Sequence, residues 1–306
     1  MDGPSLGKVM TARDAVQRFI FDGCSIGMGG QNLGRVPMAL THEIVRQGKQ
    51  RLTLMGCNLS IGMDILVGAG LVSRTEAGTG NLERFGTTFR WRYAIEEGRL
   101  QHRDYSHLAM VSRFLAGEMG LPFMPIKSLL GSDILANHPE SEKTAAIIEN
   151  PWNPQEPVVL LPAATPDVAI IHVQRADEMG NVVIEGFAAH ELEMVRAANA
   201  VIVSCDELTK SEDTRRSPER TTIPYIHISA VVEQPFGAHP TSVYRYYDFD
   251  GGHITDYQSC ARVGGQAYQE YLDHYIRGCE TFEDYLELVG GVKKLHGLRQ
   301  AMLRML

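Results

Sequence analysis

Three short segments carry residue types that could do chemistry. Gly23-Cys24-Ser25-Ile26-Gly27 matches the G-x-S-x-G spacing of a hydrolase nucleophile elbow. That elbow needs a strand before the serine and a helix after it, so that a strained turn exposes the hydroxyl. Here a helical pattern precedes Ser25 and a strand pattern follows, so a nucleophilic serine is not expected. His190-Glu191 begins like H-E-x-x-H, but the position four residues after His190 is Met194. A zinc site needs both imidazoles on one helix face. The pair therefore reads as a helix-start histidine beside a solvated glutamate, and no metal is expected. The third segment, Gly27-Met28-Gly29-Gly30-Gln31-Asn32, is a glycine-rich turn between a strand and a helix. Asn32 stands where a G-x-G-x-x-G dinucleotide fingerprint needs its third glycine. The glycines still let a ligand approach the backbone closely, and N–H groups at such a turn stabilise negative charge. The turn can serve as an oxyanion hole for a carbonyl under attack.

These segments must be positioned by the elements around them. Thr11-Ala12-Arg13-Asp14 resembles a capping box with Asp in place of Glu or Gln, and leads into Val16, Phe19 and Ile20 at helical spacing. Gly23 is expected to end that helix as its C′ glycine. Pro37 suits the first turn of a second helix that runs to Gly48. Strands are expected at 24–26, 52–55 and 72–76, and helices at 63–69 and 89–97. Ser106 can cap a further helix with Leu108, Val111 and Leu115 on one face. Prolines 139, 151, 154 and 157 mark an excursion or lid-like loop over 137–157. The apolar runs 158–161 and 168–173 read as buried parallel strands. A helix at 190–198, strands at 201–204 and 226–232, and helix from Tyr257 onward complete the pattern. This alternation predicts an α/β fold, a mostly parallel sheet covered by helices.

Composition narrows the classes of function. The net charge of -8 argues against a nucleic-acid surface. No apolar run approaches the ~18 residues of a membrane helix, and Met1 to Met10 lack the apolar stretch of a secretory signal. The five cysteines are scattered, odd in number and without C-x-x-C, which suits a reduced cytoplasmic protein. Lys210, Arg215, Arg216 and Arg220 form a basic stretch. It reads as a solvated face, with a contact for ligand phosphates or an acidic partner as the alternative.

Several segments, taken in order, resemble the A-type chain of family I CoA-transferases, the glutaconate CoA-transferase type in particular. They are the turn from Gly27 to Pro37, Asn81-Leu82-Glu83-Arg84-Phe85-Gly86 with the 92–98 segment, and Gly120-Leu121-Pro122-Phe123-Met124-Pro125 with Gly131-Ser132-Asp133. Then come the 166–177 segment with Gly180-Asn181, and Pro235-Phe236-Gly237-Ala238-His239-Pro240. The resemblance implies one CoA-transferase-like (NagB/RpiA-like) domain over residues 1–306, CoA thioesters as substrates and no bound cofactor. It implies ping-pong chemistry through a glutamyl-CoA thioester. The family's nucleophilic glutamate lies in a short S/G-E-N-G type motif of the B (beta) subunit. That motif is absent from this sequence. The chain is thus expected to be half an enzyme, partnered by a B subunit.

By the same resemblance, Gly29 and Gly30 are expected to supply backbone oxyanion donors and Asn58 a side-chain donor. Gln31, Asn32, Glu83, Ser106 and His107 are expected at the substrate. Gln31 replaces the family's aromatic residue and points to a more polar acyl group, or to a donor joining the oxyanion hole. A related group of ring-opening CoA-thioester hydrolases of steroid breakdown carries a catalytic glutamate near the segment aligned with Asp104-Tyr105-Ser106-His107. No glutamate stands there, which favours transfer, and hydrolysis is kept as the alternative. A non-catalytic small-molecule sensor is the third reading, since fold does not fix function.

Overall fold

The computed structural model describes residues 7–138 and 142–305. Most of the N-terminal reading, at residues 1–6, and Pro139 lie outside the described residues. The main sheet is built around strand β1 (Ser25–Met28). To one side lie β2 (Leu52–Leu59), β3 (Val72–Gly80) and β4 (Gln101–Asp104), each parallel to its neighbour. To the other lie β8 (Val168–Asp177), β10 (Ala200–Thr209) and β11 (Ala230–Glu233), again parallel. The short β9 (Val182–Val183) runs antiparallel on β8. The expected α/β fold with a mostly parallel sheet is what the chain adopts.

The strands are covered on both faces because their apolar side chains alternate between two cores. Ile26, Met28, Leu54 and Ile170 face the first core, Ala169, Ile171 and Val203 the second. Helices α1 (Ala12–Phe19), α2 (Met38–Gln47), α3 (Ile61–Gly68) and α4 (Phe89–Glu96) contribute to the first. The second is closed by α5 (His107–Glu118) and α7 (Glu191–Ala197). It also includes a small antiparallel sheet of β5 (Phe123–Ile126), β7 (Val158–Pro162) and β6 (Ala146–Ile148), with the one-turn α6 (Asp133–Ala136) beside it. After β10 comes the short polar α8 (Ser211–Arg216), which buries none of its residues. The last four helices, α9 to α12 (Gly251–Val263, Gly265–Leu272, Phe282–Leu288 and Gly291–Leu303), pack on the first core.

Local expectations hold where a side chain satisfies the backbone near it. Thr11 Oγ1 accepts the Asp14 N–H, Ser106 Oγ accepts the Ala109 N–H, and Gly48 closes α2 in the left-handed region. Three readings are corrected. Gly23 is not the C′ residue of α1, which ends at Phe19; it turns the chain with φ 84 and donates its N–H to Gln50 O. The 158–161 run is not a parallel strand. β7 pairs antiparallel between β5 and β6, because the proline-rich excursion before it contributes the edge strand β6. Residues 225–227 form a turn of 3-10 helix, and the last strand begins only at Ala230.

The chain leaves β1 towards β2, β3 and β4, then returns at β8 and proceeds to β10 and β11. The helix after β1, α2, covers one face, and α7, which follows β8 and β9, covers the other. The connections therefore diverge at the carboxyl ends of β1 and β8, and open sheets leave a ligand crevice at such a switch point.

Candidate active site

The glycine turn sits at this switch point. β1 ends at Met28, and the Gly29 N–H continues the ladder by donating to Ile170 O of β8 at 2.8 Å. Gly30 has φ 81, and a Cβ there would come within 2.8 Å of Gly34 O and Val36 N. Only glycine lets the chain fold back on itself so closely. The Gly30 N–H donates to Glu191 Oε1 at 2.8 Å. Both amides are buried and engaged. The expectation that Gly29 and Gly30 offer free oxyanion donors is corrected by this geometry.

Glu191 is also a correction. Expected in solvent, it is fully buried at the start of α7. Its second oxygen lies 2.5 Å from Arg35 Nη2, and Arg35 also donates to His172 O and Phe187 O. His190 beside it is buried too, stacked on Phe114, with Nε2 3.3 Å from Met28 O. Burial pushes its imidazole pKa down. No local pattern signals the Glu191 pairing, because Arg35 lies 156 positions away.

A cleft of about 480 Å³ opens over the turn. Gln31, Asn32, Gly34 and Arg35 line one wall, with Glu83 from the connection between β3 and α4. Glu185, Gly186 and Phe187 face them, and Ser242 and Tyr244 close the cleft. Three of the expected substrate residues, Gln31, Asn32 and Glu83, are thus brought together from distant parts of the chain. Asn32, Arg35 and Glu83 have φ of 51, 54 and 48, left-handed conformations that L residues adopt at a cost. Such strained residues cluster at functional sites.

The carboxylates near the cleft differ in availability. Glu185 is held by Arg175 at 2.5 Å and Arg245 at 3.1 Å, with Arg220 at 3.6 Å. Arg220 belongs to the basic stretch, whose four residues are all exposed. Glu191 has no solvent access. The Glu83 side chain is exposed and makes no hydrogen bond or ion pair among the described residues.

Asn58, Ser106 and His107 do not line this cleft. They gather further along the same sheet edge, at the carboxyl ends of β2, β3 and β4. Asn58 pairs in register with Thr79, and His107 Nε2 lies 3.1 Å from Thr79 Oγ1. Ser106 caps α5 and contacts Ser128 Oγ at 3.2 Å. Asn58 is buried, yet its Oδ1 has no hydrogen-bond partner among the described residues. Buried polar atoms without partners are rare and costly, and each one calls for an explanation. Ser25, by contrast, is used up structurally, with its N–H and Oγ both on Asp167 Oδ2.

Residues 9–234 match the coenzyme A transferase family, which is more than half of the chain. The chain belongs to the coenzyme A transferase family. This transferase-family chain is 31% identical over 95% of its length to the A-type chain of glutaconate CoA-transferase from Acidaminococcus fermentans, covering 94% of that protein. It is 30% identical over 92% of its length to the A-type chain of 3-oxoadipate CoA-transferase from Pseudomonas knackmussii, covering 97% of it. An uncharacterised Archaeoglobus fulgidus protein is 40% identical over 96% of the chain, and the chain spans 64% of that protein's length. The crystal structure of glutaconate coenzyme A-transferase from A. fermentans superposes with a TM-score of 0.91 over 95% of both chains at 30% identity.

Proposed function

We propose that this chain is the A-type half of a heteromeric acyl-CoA:carboxylate CoA-transferase. The observation that carries the reading is a strained cleft at the switch point whose nearby carboxylates are largely committed. Glu191 is buried in an ion pair and Glu185 is tied to arginines. Glu83 is the exposed exception, and we assign it to substrate binding. The attacking carboxylate comes from a B-type partner that closes the cleft.

In this reading the partner's glutamate carboxylate attacks the thioester carbonyl, and the acyl–glutamyl anhydride forms as CoA thiolate leaves. The thiolate then attacks the glutamyl carbonyl, releasing the first carboxylic acid and leaving a glutamyl-CoA thioester. An acceptor carboxylate reverses the two steps and departs as its CoA thioester. Asn58, further along the same sheet edge, makes no side-chain hydrogen bond among the described residues, and its Nδ2 N–H donates to the negative oxygen during attack. Gly29 and Gly30 shape the approach to the backbone, and Gln31, Asn32 and Glu83 contact the acyl group. The hydrolase alternative needs a glutamate near residue 106; instead Ser106 caps α5 and His107 rests on Thr79.

The test is co-purification with a B-type partner, then borohydride trapping in the presence of acyl-CoA. The chain alone should transfer no CoA, and the trapped glutamate should lie on the partner. Activity of the isolated chain, or a label on Glu83, overturns the reading. An unlabelled complex that consumes water with its thioester indicates hydrolysis.

A further inference from the structure

We infer that Glu191 is a positioning residue for the glycine turn, acting through the Gly30 N–H and Arg35. Its effect on turnover rests on the transferase reading; its effect on the turn does not. A carboxylate shut off from water needs a partner for each of its oxygens. Here one oxygen takes the Gly30 N–H at 2.8 Å and the other takes Arg35 at 2.5 Å. Arg35 extends the link. Its Nη1 donates to His172 O in β8 and its Nη2 to Phe187 O on the facing cleft wall, while its own N–H donates to Ser242 O. One buried carboxylate thereby joins the end of β1, the interior of β8 and two walls of the cleft.

Two consequences follow from the chemistry. The hydrogen bond to Glu191 sets the orientation of the peptide entering Gly30, and with it the direction in which Gln31 and Asn32 enter the cleft. A misplacement of about 1 Å in such a site costs about 10²-fold in rate. The second consequence is electrostatic. An unpaired buried anion beside a carbonyl gaining negative charge would oppose the reaction, and Arg35 cancels it. Removing Arg35 alone must therefore harm turnover more than removing both charges.

The test uses E191A, E191Q, R35M and the E191Q/R35M double variant. Hydrogen exchange measured on the isolated full chain reads the turn itself. Amides of residues 28–36 should exchange at least about tenfold faster in E191A. They should stay near wild type in the E191Q/R35M double variant, whose side-chain carbonyl at 191 still accepts the Gly30 N–H while no guanidinium faces the amide NH2. In the complex with the B-type partner, kcat for CoA transfer should fall about 10²-fold in E191A with KM nearly unchanged. The E191Q/R35M double variant should recover most of that loss and outperform R35M, whereas E191Q alone, which sets an amide NH2 against Arg35, should not. Unchanged exchange in E191A overturns the inference. So does a lower Tm with kcat per folded complex preserved, which marks a purely structural role, or equal rates for E191A and the double variant. If the wild-type complex transfers no CoA while exchange responds as described, the transferase reading fails and the positioning role stands.

Discussion

His172 Nε2 lies 3.1 Å from Asp206 Oδ2, and both side chains are buried in the main sheet. On the other side of the ring, Nδ1 lies 2.9 Å from Ser204 Oγ. Serine, histidine and aspartate thus stand in the order of a hydrolytic triad. The resemblance ends with access: Ser204 and His172 are fully buried, and Ser204 Oγ also reaches Ile171 O. Asp206 instead anchors the Pro235–Pro240 segment by accepting the Phe236 N–H at 2.6 Å.

The first prediction follows from that arrangement. S204A should keep CoA transfer in the complex within about twofold, and a fluorophosphonate probe should leave Ser204 unlabelled. D206A strands the buried Phe236 N–H and one side of His172. It should cost about 1–3 kcal/mol or more in urea unfolding. A large loss of turnover in a fully folded S204A complex would give this group a catalytic role.

A second prediction separates Asn58 from Gly30. N58A removes a buried Oδ1 that has no partner among the described residues, so its Tm should hold or rise slightly. Under the oxyanion role its kcat should fall about 10²–10³-fold. G30V behaves differently. Its Cβ would meet backbone atoms within 3 Å at a left-handed φ, so stability and turnover should fall together. Thermal melts and steady-state kinetics on both variants check the contrast, and N58A with full activity removes Asn58 from the mechanism.

The third prediction concerns acid. Burial lowers the imidazole pKa of His42, His239 and His253, the last to about 3. These groups stay neutral in the folded chain while the unfolded chain gains their protons. Stability must therefore fall as pH drops below about 6.5, the unperturbed histidine value. Urea midpoints measured from pH 8 to pH 4 should decline in that direction. Midpoints that hold steady would mean that the histidines are not kept neutral by burial.

Asp64 acts in the opposite sense, which gives a fourth prediction. It is fully buried, accepts the Tyr257 hydroxyl and the Trp91 N–H, each at 2.7 Å, and burial raises its pKa to about 6. Between its unfolded value of 3.8 and 6 the folded chain holds the proton more tightly. Its stabilising contribution is present at low pH and lost as pH rises, by about 3 kcal/mol at neutrality. D64N, which can keep both contacts, should be more stable at pH 7.5 and should lose stability more steeply on acidification. An unaltered pH profile in D64N would show that Asp64 does not titrate in this range.

The features legible in the residues alone are local or ordered along the chain. Thr11 and Ser106 cap helices because a hydroxyl reaches an N–H three residues on, and Gly48 ends α2 because it adopts the left-handed conformation itself. The apolar runs of β8 and β10 announce strands buried on both faces. The turn from Gly27 to Pro37 is readable because close backbone approach needs glycine whatever surrounds it. Tertiary structure decided the rest. It made β7 antiparallel, since the excursion supplied a neighbour that no periodicity foretells. It placed Gln31, Asn32 and Glu83 in one cleft while leaving Asn58, Ser106 and His107 further along the edge. It also turned Glu191 from an apparent surface residue into the buried acceptor of the Gly30 N–H. The physical reason is common to all three. A side chain's burial and its hydrogen-bond partner depend on which distant segment arrives beside it, and the topology of the sheet sets that arrival.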